Sequence, residues 1–294
     1  MQANLEELNQ DKQFLRSFEQ FVAAYQELTV QQMRQRREAI TNSRRFTHGL
    51  LDIFIDLKHS MKQLKAEDDD TPPAVSFTTL QKNDKQVAVF LSFSSRFTAA
   101  LNRKVFAHFA NYIAQQQDSF DIVLVGETSQ NLFQERFPEV TKEPTVFRLS
   151  ERDLSDEKLL PLTKHILQYE RVVVFNPFFA SLVEQTPQIT NLTGDISLDN
   201  QEIALTERAK RQFLYEPHGK EILNFFEIQI FLSLLKQTVK ETLLAILGAR
   251  ITTLEGTQEQ IDTDINKIQL RYLKAQRKLH NKKQHQRLAS MQLW

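Results

Sequence analysis

Between Leu5 and Leu64 the chain places Leu15, Phe18, Val22, Tyr25, Thr29, Gln32, Arg36, Ala39, Ser43, Phe46, Leu50, Ile53 and Leu57 at alternating steps of three and four. That spacing predicts one long helix offering a heptad seam to a partner helix. Both ends of the seam are apolar, but Thr29 to Ser43 is polar and rich in Gln and Arg, so the middle reads as a solvated stretch of helix. Toward the other end, Ile222, Phe225, Phe226, Ile230, Leu234, Leu235, Val239, Leu243, Leu244, Ile246 and Leu247 make an apolar face too wide for a two-stranded seam. It narrows to Ile261, Ile265, Ile268, Tyr272, Ala275 and Leu279, which step by four and three as a helix on a single partner should. The N-terminal helix is the expected partner.

Backbone chemistry supports two very long helices. All eight prolines lie between Pro72 and Pro217, and the flanking segments are interrupted only by Gly49, Gly219, Gly248 and Gly256. A proline inside a helix costs about 3 kcal/mol and a glycine about 1 kcal/mol, so their scarcity over such lengths is informative. At about 1.5 Å per residue the two segments would run ~90 Å and ~110 Å.

Glu67, Asp68, Asp69 and Asp70 lead into Pro72-Pro73, where the first helix ends and the pattern changes. Short apolar runs at 87–93, 120–126, 145–149 and 171–175 read as strands, with a further edge strand at 189–196. Helical patterns at 99–116, 130–137 and 156–168 separate them. Strands alternating with helices predict a mostly parallel sheet covered on both faces. The expected fold is α/β plus a long antiparallel α-helical coiled coil formed by the N- and C-terminal helices. Its parts are a first shaft helix over 1–68, a Rossmann-like domain over 75–210 and a second shaft helix over 213–294. Pro217 suits the first turn of that last helix.

Composition narrows the function classes. The 294 residues are 41% hydrophobic and 25% charged, with 37 basic and 37 acidic side chains, so no global field drives the chain onto nucleic acid or membrane. There is no cysteine, which removes disulfides and thiolate chemistry together. No secretory signal and no apolar run of membrane-spanning length is apparent, and a cytoplasmic protein is expected.

A sheet with crossover helices invites a nucleotide-binding reading, yet the turn after the first strand, Ser94-Ser95-Arg96-Phe97-Thr98, has no glycine to let a backbone approach a phosphate. Gly126 after the second strand reads as a turn. The histidines at 48, 59, 108, 165, 218, 280 and 285 include no pair at metal-ligand spacing flanking a carboxylate, and Asp68 to Asp70 lacks the glycine and distal Glu of a calcium loop. Ser94 and Ser95 lack a nucleophile elbow. No catalytic residue, cofactor or metal site is expected.

Charge is uneven locally. Lys267, Arg271, Lys274, Arg277, Lys278, Lys282, Lys283 and Arg287 fall within about six turns with no acid between them, and Arg34, Arg36, Arg37, Arg44 and Arg45 make a second patch. Such a helix face suits acidic protein loops, a phosphate backbone or simple solvation. Aromatic residues interleaved for base stacking are scarce there, with only Tyr272 and Trp294 after Lys267.

The order long helix, small α/β domain, longer helix resembles the gamma subunit, the central rotor shaft, of F-type ATP synthases. Gln32-Met33-Arg34-Gln35 is similar to that family's Lys-Met-Arg-Arg, and Ser94 to Asn102 resembles its Ser-Asp-Arg-Gly-Leu-Cys-Gly-Gly-Leu-Asn, one residue shorter. Arg171 to Ser181 resembles the strand ending Tyr-Asn-Lys-Phe-x-Ser, with Gln185-x-Pro187 following. Phe213-Leu214-Tyr215-Glu216-Pro217 resembles Phe-x-Phe-Glu-Pro. Glu227-Ile228-Gln229-Ile230, Leu234-Leu235, Glu241 and Thr253 match the helix beyond, and Tyr272 to Arg277 resembles Tyr-Asn-Lys/Arg-Ala-Arg-Gln. Ala23, Ser95, Phe97, Leu273 and the stretch Lys282 to Arg287 depart from the family's usual residues.

The resemblance implies a non-catalytic rotor subunit, peripheral at the cytoplasmic face of a bacterial plasma membrane. It implies as partners three alpha-type and three beta-type ATPase subunits, an epsilon-like subunit and a membrane c-type ring. Arg34, Arg36, Arg37, Lys278, Lys282, Lys283 and Arg287 would then meet acidic loops of the head, while an apolar tip including Leu288 and Met291 would bear on its sleeve. The other reading left open by the residues is a coiled-coil scaffold or adaptor, binding nucleic acid through the basic C-terminal helix.

Overall fold

A computed structural model describes residues 2–64, 83–93, 97–115, 120–138, 143–151, 154–193 and 219–291, with side chains described over 5–57 and 221–288 in the terminal helices. The acidic run Asp68 to Asp70, Pro72-Pro73, Ser94 to Arg96, Phe213 to Pro217 and Trp294 lie outside the described residues. The elements run α1 (Gln2–Leu64), β1 (Gln86–Leu91), α2 (Ala99–Gln115), β2 (Phe120–Val125), α3 (Glu127–Arg136), β3 (Thr145–Phe147), α4 (Asp156–Leu167), β4 (Arg171–Phe179), β5 (Gln185–Asn191) and α5 (Gly219–Met291). Two compact units are formed: Met1–Gln32 with Arg250–Trp294, and Met33–Ala249.

The second unit is built on a five-stranded sheet in the order β3-β2-β1-β4-β5. Strands β1 to β4 are parallel, and β5 pairs antiparallel with β4 from Val173↔Asn191 to Phe179↔Gln185. Because strand side chains alternate between faces, the continuous apolar runs of β1, β2 and β4 feed two cores at once. On one face Val87, Val89, Leu91, Val123, Val172 and Val174 pack with Leu51, Phe54 and Leu57 of α1, with Leu159, Leu162 and Ile166 of α4, and with α5 from Leu223 to Ile246. On the other, Ala88, Phe90, Leu124, Val173 and Phe175 pack with Leu101, Val105, Phe106 and Phe109 of α2 and Phe133 of α3. The rings of Phe90, Phe106, Phe109 and Phe175 lie 5.3–5.9 Å apart, suited to edge and offset contacts.

The edge strand differs from expectation. It occupies Gln185–Asn191 rather than 189–196, because the β4 strand runs on through Pro177 to Phe179 and the short Ser181 to Glu184 turn returns the chain at once. Ser181 N donates to Glu184 O at 3.0 Å, and Gln185 Nε2 donates to the carbonyls of Ser181 and Leu182, both at 2.9 Å. Pro187 is tolerated because β5 has a neighbour on one side only.

The terminal helices pack antiparallel in each unit. In the first unit Lys12 Nζ donates to Gln269 Oε1 at 3.2 Å, and Tyr25 lies under Arg250. In the second, Lys240 Nζ donates to Ser43 Oγ at 3.2 Å and Arg44 pairs with Glu241. The seam of α5 falls where its pattern places it: Ile261 is buried and Ile265, Ile268, Tyr272, Ala275 and Leu279 are partly buried. Only Phe225 leaves the wide upper face, at 58% exposed.

The seam of α1 needs correction. Val22, Thr29, Met33, Ile40, Thr47, Leu51, Phe54 and Leu57 are buried, whereas Phe18, Phe46 and Ile53 are exposed. The row at 22, 29, 36, 43, 50 and 57 is common to the expected and observed seams, but the intermediate step is four then three, not three then four. The middle of the helix is therefore not a solvated stretch. Met33 and Ile40 are buried, which a row drawn through Gln32 and Ala39 misses. An α-helix with apolar residues on both sides of one row satisfies either phase, and only the neighbour decides between them.

Candidate functional site

The chemistry expected of the middle domain starts at the carboxyl ends of its strands, where open parallel sheets bind ligands. Here main chain fills the space between β1 and β2. Gly126 adopts φ 96° at the start of α3, and a Cβ on it would come within 1.7 Å of the Ser92 carbonyl oxygen. Gly126 N donates to Phe147 O at 2.8 Å and Ser92 N to Val125 O at 3.0 Å. The glycine is thus required for close backbone contact between two strand ends, in keeping with its reading as a turn.

The Tyr169 hydroxyl donates to Asp121 Oδ2 at 2.8 Å, and burial, that hydrogen bond and the nearby carboxylate charge push its pKa up to about 12. His165 lies between Phe147 and Tyr169, with ring centroids 5.5 and 5.6 Å away and ring planes inclined by 51° and 64°. His48 and His108 are exposed, and His280 is bonded to Gln284 at 2.9 Å on the surface of α5. Among the described residues no three His, Cys, Asp or Glu side chains converge as a metal ligand set.

The surfaces that remain are those of the helix pair. Arg34 and Arg37 are exposed on α1 and Arg36 is partly buried there, all three in the second unit. Lys278, Lys282, Lys283, Arg287 and Leu288 are exposed on α5 in the first unit, and Met291 is the last residue of that helix. The basic patches are thus divided between the two compact units. At the start of the α5 patch, Asp264 accepts from Lys267 Nζ at 2.9 Å and from Gln260 Nε2 at 3.2 Å. Those contacts hold its carboxyl below the usual carboxylate range. From Lys267 onward the helix face has no acid, and its exposed cations create a local positive field.

Two helix-pair contacts were not apparent from residue spacing. Arg44, counted with the basic patch, is committed to Glu241. Arg250 is 4% exposed, and its guanidinium carbon lies 5.8 Å from the centroid of the Tyr25 ring. The signal for the second was available: a lone Arg among Leu247, Ala249, Ile251 and Leu254 at the point where an apolar face narrows.

Comparison with known proteins gives one coherent answer. A family model described as ATP synthase matches residues 4–278. The chain is 26% identical over 128 residues to the ATP synthase gamma chain of Nitrosomonas eutropha, a match that covers 40% of this chain and 44% of that one. The match thus spans less than half the length of that curated relative. Its backbone is similar to a chain in the OSCP/F1/c-ring structure of the Euglena gracilis mitochondrial ATP synthase (TM-score 0.61, 15% identity, 99% of this chain and 94% of that chain). It is also similar to one in the central stalk/c-ring structure of the Tetrahymena thermophila mitochondrial ATP synthase (TM-score 0.57, 13% identity, 81% and 99%). At these identities the structural likeness speaks for the fold.

Proposed function

Because the chain belongs to the gamma-chain family of ATP synthases, whose members are central-stalk rotor components, we propose that it transmits torque between an ion-driven membrane ring and a catalytic ATPase head. Residues 1–68 and 213–294 form the shaft and 75–210 the foot. The shaft lies within a head of three alpha-type and three beta-type subunits, and the foot meets an epsilon-like subunit and a c-type ring. The chain is non-catalytic, and bond making and breaking belong to the partner subunits. It acts at the cytoplasmic face of the membrane as a peripheral subunit. Among the described residues no helix is long and apolar enough to cross a membrane.

The observation that carries this reading is the antiparallel pairing of a 63-residue and a 73-residue helix joined through a compact α/β sheet unit. Few tasks other than transmitting force need helices so far above the ordinary length of about 11 to 12 residues. An asymmetric rotor that contacts three sites in turn biases their conformations through differential contact free energy. Arg34, Arg36, Arg37, Lys278, Lys282, Lys283 and Arg287 supply the cationic contacts to acidic head loops, and Leu288 and Met291 the apolar bearing.

Purification of the assembly with native mass measurement tests the reading. One copy of this chain is expected with three copies each of two larger subunits, and any other stoichiometry overturns it. Replacing Lys278, Lys282, Lys283 and Arg287 by Ala is expected to weaken coupling of hydrolysis to rotation. Unchanged ATP-driven rotation in that variant removes the contact assignment.

A further inference from the structure

Among the described residues the sheet has two outer strands, β3 and β5. An outer strand turns unpaired N–H and C=O groups outward and so offers a template to another chain. β3 spans three residues, Thr145–Phe147, too few to hold a foreign strand in register. β5 spans seven, Gln185–Asn191, and is paired with β4 alone among the described strands. Ile189 in its middle is 48% exposed. Gln185-Thr186-Pro187-Gln188-Ile189-Thr190-Asn191 carries no charged side chain. An uncharged run of amide and β-branched residues is the composition that self-pairs as stacked strands, and proline is the residue that such segments exclude.

The phase of the ladder fixes which way that proline points. Leu192 N donates to Val172 O at 3.0 Å. That pair is one step beyond Val173↔Asn191 on the same register, so it is a hydrogen-bonded pair, and such pairs alternate with non-hydrogen-bonded ones along an antiparallel ladder. Thr190, Gln188 and Thr186 therefore bond inward to β4, while Asn191, Ile189, Pro187 and Gln185 turn their backbone groups to the free edge. Of these four only Pro187 lacks an N–H. Its opposite number on β4 is Pro177, also at a non-hydrogen-bonded position, so the ladder loses no bond to either ring.

We propose that Pro187 closes the β5 edge against the β5 edge of a second copy of this chain. An opposing carbonyl at this position meets the Cδ methylene of the ring in place of a donor. Pro187 is the second of four edge-facing residues, so every register that uses three consecutive positions runs through it. Ile189 and Asn191 alone are left, a stretch too short to hold two strands together. With an N–H restored at 187, two copies would meet antiparallel about a two-fold axis and join their five-stranded sheets into one. This inference stands apart from the rotor reading, since it concerns the chain's behaviour toward its own copies.

Sedimentation velocity of the full chain over a range of concentrations tests it. Pro187→Thr is expected to form about tenfold or more dimer than the unaltered chain at equal concentration, because two hydrogen bonds return per dimer. Adding Ile189→Pro moves the block to the next edge-facing position and should bring the dimer back to the unaltered level. No added dimer in Pro187→Thr overturns the proposal, as does dimer that persists in the double variant. The phase is tested independently in case Pro187→Thr folds poorly. Gln188→Pro removes an N–H that bonds to β4, whereas Ile189→Pro removes one that faces outward, so the first should lower the melting midpoint more. Equal falls, or a larger fall for Ile189→Pro, place Pro187 on the wrong side of β5 and overturn the proposal.

Discussion

Arg44 on α1 places its Nε 2.9 Å and its Nη2 2.8 Å from the same oxygen, Oε1, of Glu241 on α5. That oxygen also accepts from Gln237 Nε2 at 3.1 Å, and one residue earlier on both helices Lys240 donates to Ser43. The pair ties the two helices at one register in the second unit, since a slip of one residue would carry Arg44 about 100° around the helix. Arg44 is half exposed, so solvent screens much of the attraction. Arg44→Ala is expected to lower stability by about 1 kcal/mol in urea unfolding. The exchanged pair Arg44→Glu with Glu241→Arg should recover part of that loss.

The phase of the α1 seam can be measured side chain by side chain. Phe54 is fully buried in the core shared with the sheet, while Phe46, on the expected seam, is 60% exposed. Phe54→Ala should cost about 3–5 kcal/mol through lost burial and a residual cavity. Phe46→Ala should stay within about 0.5 kcal/mol. Denaturation midpoints of the two variants decide the phase, and equal losses would contradict the observed packing.

Gly248 lies on α5 where the β4–β5 hairpin crosses it. A Cβ there would come within 2.9 Å of Phe179 Cε2 and 3.0 Å of Gln185 Nε2, and Gln185 is held by two carbonyls of the hairpin turn. Gly248→Val is expected to destabilise by about 1–3 kcal/mol as overpacking. Gly248→Ala should cost less, because a helix favours alanine over glycine by about 1 kcal/mol. Thermal unfolding should rank the three proteins in the order Gly, Ala, Val.

Tyr169 gives a pH signature. Its folded pKa of about 12 lies above the ordinary value of 10.0, so folding favours the protonated phenol. That contribution to stability is fully present below pH 10 and is lost as pH rises through about 12. Absorbance titration of the phenolate should show a step near that upper value that disappears in Tyr169→Phe. With Asp121→Asn the step should move down, yet remain raised, because burial is the largest cause.

Much of the architecture was legible because it rests on periodicity. The seam from Ile261 to Leu279 was read residue for residue, since its apolar positions are surrounded by charge and only one phase is available. The α1 seam was read one row off, since Phe14, Phe18, Phe21, Phe46 and Ile53 form an equally apolar row beside it. The β5 strand was misplaced because Gln185-Thr186-Pro187-Gln188 carries no apolar alternation, and its pairing is set by the β4 backbone alone. Arg44 looked like a free cation in the chain and is a structural one, because its partner lies 197 residues away.

From Thr242 to Ala249 every residue of α5 is buried. Residues of that stretch reach both cores: Leu243 and Ile246 join the first and Ala249 the second. A helix with one wet side can roll or shift lengthwise while its dry side finds new neighbours, but one enclosed all round cannot. In this stretch α5 is meshed with the sheet like a key cut on every edge, and any turning of one carries the other with it.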